Sequence, residues 1–264
     1  MNNTTLVIPD AHVGPEQDLS RFAMLGQLIV DRRPDRIITM GDFVSLESLS
    51  NWDLNKSGVM EGRRYQNDIA AGNMALDLLF FQLRNLQDKQ RRLKERVYKP
   101  RIVYIYGNHE DRLVRYLETR AELKEHLNLD EDLNLLDHGF LDIIPYRQGI
   151  DFDGVHFTHA PQNAARQAVS GRYAIHRAAE MTAKSLVFAH SHRRENVNYY
   201  RHGADNILQI LMCGAFFEHV DDYAYGGLNA YWRGVNILTH WSEGRFDVEE
   251  ISIERLRNTY EDII

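Results

Sequence analysis

The sequence predicts a layered α/β fold. Short apolar runs rich in β-branched residues recur along the chain, and each ends at a glycine or a polar residue. Runs of this length and composition suit strands that are buried on both faces. Between the first two runs, apolar residues fall at helical spacing until Pro34 ends the pattern. A strand, a helix and a second strand in this order form the opening of a sheet that is covered by helices.

The same patterns place the individual elements along the chain. Strands are predicted over 4–8, 36–40, 101–106, 155–158 and 185–188. Helices are predicted over 19–31, 62–99 and 164–184, although Gly171 interrupts the last one. The candidate buried residues of the second helix are Ile69, Met74, Leu76, Leu79, Phe80, Leu83 and Leu86. Further strands are predicted over 207–212, 235–240 and 246–251, so the second half is expected to carry edge strands of its own sheet. No repeat, low-complexity stretch or linker interrupts the sequence, which predicts one domain over 1–264.

Composition excludes several classes of protein. The chain has 264 residues, of which 44% are hydrophobic, and it carries 31 basic and 38 acidic residues with a net charge of -7. A chain of this length buries a core without disulfides, and its one cysteine, Cys213, forms neither an intrachain disulfide nor a thiolate metal cluster. The first residues do not resemble a signal peptide, and no stretch reaches the ~20 apolar residues of a membrane span. We therefore expect a cytoplasmic protein with no membrane partner.

Charge is distributed unevenly along the chain. Residues 84–101 carry eight basic and two acidic side chains, a net charge of +6, whereas the chain as a whole is acidic. The acidic total argues against a protein that binds nucleic acid over its whole surface. The basic stretch is either a solvated helix face followed by a turn or a contact with a phosphate backbone. The sequence leaves both interpretations open.

Potential metal ligands follow five of the predicted strands. Twelve histidines are present, and imidazole is both the commonest neutral metal ligand and the readiest acid or base near pH 7. The motifs are, in order, Asp10-Ala11-His12, Gly41-Asp42, Gly107-Asn108-His109-Glu110, His159 and His190-Ser191-His192. Because ligand sites in open α/β sheets form at the carboxyl ends of the strands, we expect these residues to meet there. Most of the motifs occur singly by chance in many chains, but the ordered set indicates one site.

In this order, the five motifs resemble the signature of the calcineurin-like metallophosphoesterases. That family includes serine/threonine protein phosphatases, purple acid phosphatases, cyclic nucleotide phosphodiesterases and nucleases that repair double-strand breaks. The resemblance covers residues 10–192 and is to compact members such as those of bacterial and phage genomes. It implies a four-layer α/β/β/α sandwich with two divalent metal ions at the strand ends.

The resemblance also implies a role for each motif. The first metal would take Asp10, His12, Asp42 and His192, and the second would take Asp42, Asn108, His159 and His190. Asp42 would bridge the ions, since a shared carboxylate offsets the repulsion between neighbouring cations. Manganese is the metal that the resemblance implies, and iron, zinc and nickel also suit mixed nitrogen and oxygen ligands. A hydroxide that bridges the metals would attack phosphorus in line, with no covalent enzyme intermediate.

Residues next to the ligands are candidates for the remaining chemistry. His109 would stabilise the transition state or protonate the leaving oxygen. Glu110 either holds the loop or is a first-turn helix carboxylate favoured by the helix dipole. Arg112 either reaches a substrate phosphate or lies on the helix surface, and the surface is the favoured interpretation. Further candidates for substrate contact are Asn108, Arg63 and Arg64.

The sequence departs from the family pattern in two motifs. Ala189 replaces the usual glycine before the last two histidine ligands, so the loop could be shaped differently. Protein phosphatases of the family follow Gly-Asp with Val-Asp-Arg-Gly, which places an aspartate to orient the catalytic histidine and an arginine on the phosphate. This chain instead reads Phe43-Val44-Ser45-Leu46-Glu47 and has neither residue. A protein phosphatase is therefore disfavoured.

A helical insertion over about 45–99 separates the second and third motifs. Its aromatic and cationic residues could close over a substrate, or the segment could cover the sheet as a helical layer. These residues are Asn51, Trp52, Lys56, Arg63, Arg64 and Tyr65.

The leading hypothesis is a metal-dependent hydrolase of a phosphomonoester or phosphodiester, with nucleotides and nucleic acid among the candidate substrates. The basic stretch and the insertion make a DNA exonuclease or endonuclease the main alternative. A non-catalytic metal-binding scaffold is a remote alternative, because the chain keeps every ligand and His109.

No obligate protein partner is evident, and Cys213 fits a small core residue. The histidines that match no motif are His126, His138, His156, His176, His202, His219 and His240.

Overall fold

The computed structural model describes residues 3–51, 53, 56–200, 207–219 and 231–263. Trp52 of the predicted insertion and His202 lie outside these residues. The strands are β1 Thr4–Ile8, β2 Arg36–Thr39, β3 Arg101–Ile105, β4 Phe140–Ile144, β5 Gly149–Phe152, β6 Val155–Thr158, β7 Ser185–Phe188, β8 Arg194–Tyr200, β9 Ile207–Cys213, β10 Gly234–Ser242 and β11 Arg245–Ser252. The helices are α1 Ser20–Arg32, α2 Ser57–Met60, α3 Tyr65–Leu93, α4 Asp111–Glu118, α5 Leu129–Asp132, α6 Ala174–Met181 and α7 Ile253–Tyr260, with 3-10 turns at Glu47–Leu49, Ala121–Leu123 and Glu261–Ile263.

The strands form two sheets. The first has the order β11-β10-β1-β2-β3-β4, and the second has the order β5-β6-β7-β9-β8. Neighbours from β1 to β4 are parallel, as are β6, β7 and β9 in the second sheet. Within each sheet, the carboxyl ends of these parallel strands therefore lie at a common edge, where ligand sites form.

Three apolar cores separate four layers. Along β1, Leu6 and Ile8 pack with the helices α1 and α3, whereas Val7 points the other way and packs against the second sheet. This alternation follows from the two-residue period of a strand. The outer face of the second sheet, through Phe188 and Ile210, packs against α6. The predicted four-layer α/β/β/α arrangement is confirmed.

The long predicted helix is shorter than its pattern suggested. α3 begins at Tyr65 and ends at Leu93, where Lys94 takes a left-handed conformation with φ of 56°. Residues 94–100 leave the helix, and the side chain of Gln90 accepts a hydrogen bond from the N–H of Tyr98 at 2.9 Å. Met74 is 60% exposed and is not a core residue as predicted, because the buried face of α3 runs through its neighbours at helical spacing. These neighbours are Ala75, Leu76, Leu79, Phe80 and Leu83.

The prediction of a helix over 164–184 is wrong for its first half. Only α6, Ala174–Met181, is helical. The side-chain oxygen of Asn163 accepts hydrogen bonds from the N–H groups of Ala165 and Gln167, which offers the backbone an alternative to the helix. Gly171 then has a φ of 83°, which is incompatible with a continuous helix.

Of the remaining strands, three are slightly longer than predicted and three were not predicted from the sequence. β10 and β11 lie where predicted but join the first sheet beside β1, while β9 lies inside the second sheet. β4, β5 and β8 were not predicted, and β8 is the polar edge strand of its sheet. In the described part of the chain, no helix combines the length and the apolar character needed to cross a membrane.

Candidate metal centre

The five motifs meet at the carboxyl ends of the strands, as the sequence predicted. Asp10 follows β1, Asp42 follows β2, and Asn108 follows β3. From the second sheet, His159 follows β6, and the pair His190 and His192 follows β7. The buried members of this set are Asp10, His12, Asp42, His159 and His192. Asn108 and His190 are half-buried, so the set opens toward solvent on their side.

Among the residues that the structure describes, three overlapping groups of side chains have ligand atoms within 4.8 Å of one another. The groups are Asp10 with His12 and His192, His12 with Asp42 and His109, and Asp42 with His159 and His190. His12 and Asp42 each belong to two groups, so the three form one continuous cluster. Asn108 joins it through an Oδ1 that lies 3.1 Å from His159 Nε2.

His159 directs an unprotonated nitrogen at two oxygen atoms. Its Nδ1 donates a hydrogen bond to the carbonyl of Met40 at 2.8 Å, and since a carbonyl only accepts, Nδ1 carries the ring proton. Burial lowers the pKa of His159 to about 4, so the ring is neutral at pH 7. Its Nε2 therefore presents a lone pair to Asn108 Oδ1 at 3.1 Å and to Asp42 Oδ2 at 3.5 Å. Three electron-rich atoms in this arrangement repel one another, and a cation among them would turn the repulsion into attraction.

At the Asp10 end of the cluster, a buried acceptor atom likewise lacks a hydrogen-bond donor in the described part of the chain. Asp10 Oδ2 accepts a hydrogen bond from the N–H of His190 at 3.0 Å, whereas Oδ1 is buried without a hydrogen-bond partner among the described residues. An unpartnered buried carboxylate oxygen is costly unless it binds a cation. His12 Nε2 and His192 Nε2 lie 3.1 Å apart, so at most one of them carries a proton. The residues at both ends of the cluster therefore fit divalent cations.

The protonation preferences of the histidines agree with a cation site. Burial, followed by the neighbouring imidazoles, lowers the pKa of His12 well below its usual value, and burial also lowers the pKa of His190. Burial and then the charge of Asp42 raise the pKa of Asp10. Burial raises the pKa of Asp42, whereas protonation of the surrounding histidines would lower it well below its usual range. Neutral imidazoles and an ionised carboxylate are the forms that bind metals.

Four of the cluster residues have a left-handed backbone. The φ angles are 43° at His12, 49° at Asp42, 66° at His190 and 56° at His192. Such conformations are uncommon outside glycine, and they occur preferentially at functional sites because the surrounding structure must impose them. Ala189 is not among the residues with positive φ. Ala189 therefore costs no backbone strain where the resemblance predicts a glycine, because the left-handed residues are His190 and His192.

Glu110 holds the loops of the second and third motifs together. It is fully buried, and its carboxylate accepts hydrogen bonds from the N–H groups of Asp42, Phe43 and Gly107 at 2.9, 2.7 and 2.8 Å. The Tyr104 hydroxyl donates a further bond at 3.1 Å. Burial, with the charge of Asp42 second, raises the pKa of Glu110 to about 7. Of the two roles predicted for Glu110, these contacts support the role of holding the loop.

His109 is oriented by a main-chain carbonyl. The main-chain N–H of His109 donates to Asp42 Oδ1 at 2.8 Å. In the imidazole ring, Nδ1 donates to the carbonyl of Ser45 at 2.8 Å. The second motif lacks the aspartate of the protein phosphatases, and here a carbonyl of the same loop fixes the ring. Arg112 does not lie on the helix surface as favoured, because it is half-buried and donates to His109 Nε2 at 3.2 Å.

The other predicted substrate contacts, Arg63 and Arg64, have partners away from the cluster. Arg63 pairs with Glu47 at 2.9 Å and with Asp53 at 3.1 Å, and the guanidinium of Arg64 donates to the Arg63 carbonyl. Within the described residues, no contact joins either arginine to the ligand cluster. The structure therefore brings Asn108 and Arg112 to the cluster but not Arg63 and Arg64.

Several residues that surround the ligands were not predicted from the sequence. Phe217 packs edge-on against His12 and His192, with ring centroids 5.2 and 5.0 Å apart, and stacks on His219 at 4.7 Å. Tyr231 packs against His192 at 4.9 Å. These residues follow the last motif, so no spacing rule pointed to them.

Comparison with known proteins gives distant structural likenesses. No protein-family model matches the chain, and no curated protein matches it. Among solved structures, the phosphoesterase Yfce from E. coli aligns with a TM-score of 0.39 at 13% identity, over 95% of this chain and 93% of its own. A Streptococcus pneumoniae protein described as a predicted phosphoesterase aligns with a TM-score of 0.38 at 11% identity, over 96% of this chain and 91% of its own. A Thermus thermophilus protein aligns with a TM-score of 0.40 at 10% identity, over 95% of this chain and 99% of its own. The chemistry of the centre is inferred from its own residues.

Proposed function

We propose that this chain is a metal-dependent phosphoester hydrolase with a dinuclear centre. The observation that carries the proposal is that two groups of candidate ligands share Asp42, one through His12 and the other through His159 and His190. A carboxylate shared in this way can hold two cations a few ångströms apart, which is the spacing of two-metal hydrolases.

The ligand sets proposed from the motifs fit these contacts. The first ion would be held by Asp10, His12, Asp42 and His192, and the second by Asp42, Asn108, His159 and His190. When bound, two divalent ions supply Lewis acidity at the phosphoryl oxygens and activate water for direct in-line attack on phosphorus. Two carboxylates and neutral imidazoles leave part of the metal charge uncompensated, so the ligand set itself favours an anionic substrate. Manganese is the proposed metal, because nitrogen and oxygen ligands suit it and no cysteine takes part.

His109 is the proposed acid for the leaving oxygen. Its Nε2 lies 3.9 Å from Asp42 Oδ2, and its side chain is 18% exposed, so it lies on the solvent side of the bridging carboxylate. Because Nδ1 is fixed on the Ser45 carbonyl, Nε2 would take up a proton from solvent and pass that proton to the leaving oxygen.

No specific observation favours the nuclease alternative. The basic stretch ends at Arg101, whose N–H donates to the carbonyl of Asp35 at 2.9 Å, and the Tyr98 hydroxyl donates to the carbonyl of Pro34 at 2.6 Å. These contacts put the stretch at the amino ends of β2 and β3, whereas the candidate centre lies at their carboxyl ends. A strand of nucleic acid on this stretch would not lie over the cluster.

The test is hydrolysis of chromogenic phosphomonoesters and phosphodiesters, and of labelled single- and double-stranded DNA, by protein loaded with manganese. We expect turnover of at least one small phosphoester and a loss of about 100-fold or more in kcat for His109→Ala, with the metal content unchanged. The matched control is His176→Gln, which changes an exposed histidine on α6. If wild-type protein with bound metal hydrolyses no phosphoester, the proposal is wrong, and turnover of DNA alone would favour the nuclease.

A further inference from the structure

The guanidinium of Arg112 is held by main-chain carbonyls at Nη1, whereas Nη2 contacts only a side chain and can change its partner. Its Nη1 donates to the carbonyls of Ser45 and Leu46 at 2.9 and 3.3 Å. Its Nη2 donates to His109 Nε2 at 3.2 Å. All three acceptors are neutral, since His109 already uses Nδ1–H on the Ser45 carbonyl and presents a lone pair at Nε2.

The charge of Arg112 has no counter-ion within ion-pair distance in the described part of the chain. Other arginines nearby are paired: Arg115, on the same helix, lies 3.1 Å from Asp111, and Arg63 contacts two carboxylates. The carboxylate that acts most strongly on Arg112 is Asp42, which is the proposed bridging ligand. A half-buried guanidinium without a carboxylate is costly, and an anionic ligand would compensate it.

A phosphoryl oxygen is a better partner for this guanidinium than an imidazole nitrogen. A phosphoryl oxygen carries negative charge and adds to the hydrogen bond an ionic attraction that a neutral imidazole lacks. Arginine also presents its donors in a planar fork that fits phosphate. Because the Ser45 and Leu46 carbonyls hold Nη1, Nη2 can exchange partners while the side chain stays in place.

We infer that Arg112 binds a phosphoryl oxygen of the substrate with Nη2, and that this exchange releases His109 Nε2 to face the leaving oxygen. The inference rests on the proposed phosphoester hydrolase. Arg112 would therefore have two roles: it binds the phosphoryl group, and it leaves His109 Nε2 free of its hydrogen bond when substrate is bound. In the free protein, the same contact keeps His109 Nε2 occupied.

The test compares Arg112→Gln and Arg112→Lys with Arg120→Gln, which changes an exposed arginine beyond the end of the same helix. For each metal-loaded variant, the measurements are kcat and KM for a chromogenic phosphoester, the inhibition constant of inorganic phosphate, the metal content and the melting temperature. We expect Arg112→Gln to raise KM and the phosphate inhibition constant by about 10- to 100-fold with the metal content unchanged. We expect Arg112→Lys to raise them less, because it keeps the charge but loses the fork, and Arg120→Gln to match wild type.

An inhibition constant for phosphate that stays within about twofold of wild type in a folded, metal-loaded Arg112→Gln protein would overturn the inference. If Arg112→Gln does not fold, Arg112→Lys decides, and an unchanged constant in that variant overturns the inference equally. The two proposals fail in different ways. Absence of phosphoester turnover by wild-type protein contradicts the hydrolase, whereas turnover with unaltered phosphate affinity in the Arg112 variants contradicts only the role of Arg112.

Discussion

The carboxylate of Glu110 accepts a hydrogen bond from the main-chain N–H of Asp42, at 2.9 Å. The same carboxylate accepts bonds from Phe43, Val44 and Gly107, so two loops from neighbouring strands are fixed on one buried side chain. Asp42 has a left-handed φ of 49°, which is uncommon for residues other than glycine. The contacts from Glu110 therefore help to impose the backbone conformation that directs Asp42 into the cluster.

Replacement of Glu110 by glutamine should destabilise the protein strongly. The amide keeps one acceptor but turns an N–H₂ donor toward main-chain donors, so several buried N–H groups lose their partner. We expect the free energy of unfolding in urea to fall by about 3 kcal/mol or more, together with the metal content. The control is Glu118→Gln at an exposed position of α4. Unchanged stability and metal content in Glu110→Gln would show that the loop is held by other contacts.

Asp42→Asn should release both metal ions. The amide can still accept the hydrogen bond from the His109 N–H, which Asp42 Oδ1 now accepts at 2.8 Å, so the loop should remain folded. The substitution removes the charge that a bridging ligand needs to offset two cations. We expect elemental analysis after dialysis to find less metal than in wild type at both positions, with a similar melting temperature for the metal-free proteins. The control is Asp151→Asn, which changes an exposed carboxylate on β5, and full metal content in Asp42→Asn would rule out the bridging role.

Motifs that need only residue type and order were predictable from the sequence, whereas side-chain partners were not. The strands before Asp10, Asp42 and Asn108 are continuous apolar runs, and their ends were placed within one residue. The hydrogen-bond partners of Arg112 and Glu110 depend on how the start of α4 packs against the loop that follows β2. No periodicity encodes these contacts, because they join residues 67 and 68 positions apart through tertiary packing alone.

The helix predicted over 164–184 shows a second limit of the sequence patterns. Apolar residues recur there at a spacing that a helix permits, yet Asn163 and Gly171 favour a turn at its start. Local side-chain hydrogen bonds to the backbone compete with helix formation, and the competition is decided by the packing available to each half. Only the half that buries Ala174, Ile175 and Ala178 against the second sheet is helical.

Gly26→Ala should separate two helices of the outer layer. A methyl group at Gly26 on α1 would lie 2.6 Å from the main-chain oxygen of Leu79 on α3, and a main-chain atom cannot move aside as a flexible side chain can. Overpacking of this kind costs about 1–3 kcal/mol, more than the gain in helix propensity of alanine over glycine. We expect a lower free energy of unfolding in urea. Gly58→Ala is the matched control, because its methyl group would meet open space, and equal stability of the two variants would contradict the close approach.

His240 should make the protein less stable in mild acid. It is buried at the end of the sandwich opposite the candidate centre, where its Nε2 lies 3.0 Å from Thr5 Oγ1 and it lines a cavity of about 580 Å³ between two hairpin turns. Burial lowers the pKa of His240 from 6.5 to about 4, although Asp153 favours the charged form. Between these values the unfolded chain binds the proton and the folded protein does not, so the free energy of unfolding falls as the pH is lowered from 6.5 to 4.

We expect this group to account for a loss of about 1–2 kcal/mol between pH 7 and pH 5, a figure reduced for the solvent that reaches the cavity. The measurement is urea denaturation of metal-free wild type and His240→Gln at both pH values, in which the variant should lose less stability than wild type on acidification. Gln at this position can still bond to Thr5, so a loss of folding at pH 7 is not expected. His176→Gln, on the exposed face of α6, should follow wild type. Equal losses for wild type and His240→Gln would show that His240 takes up no proton in this range when the chain unfolds.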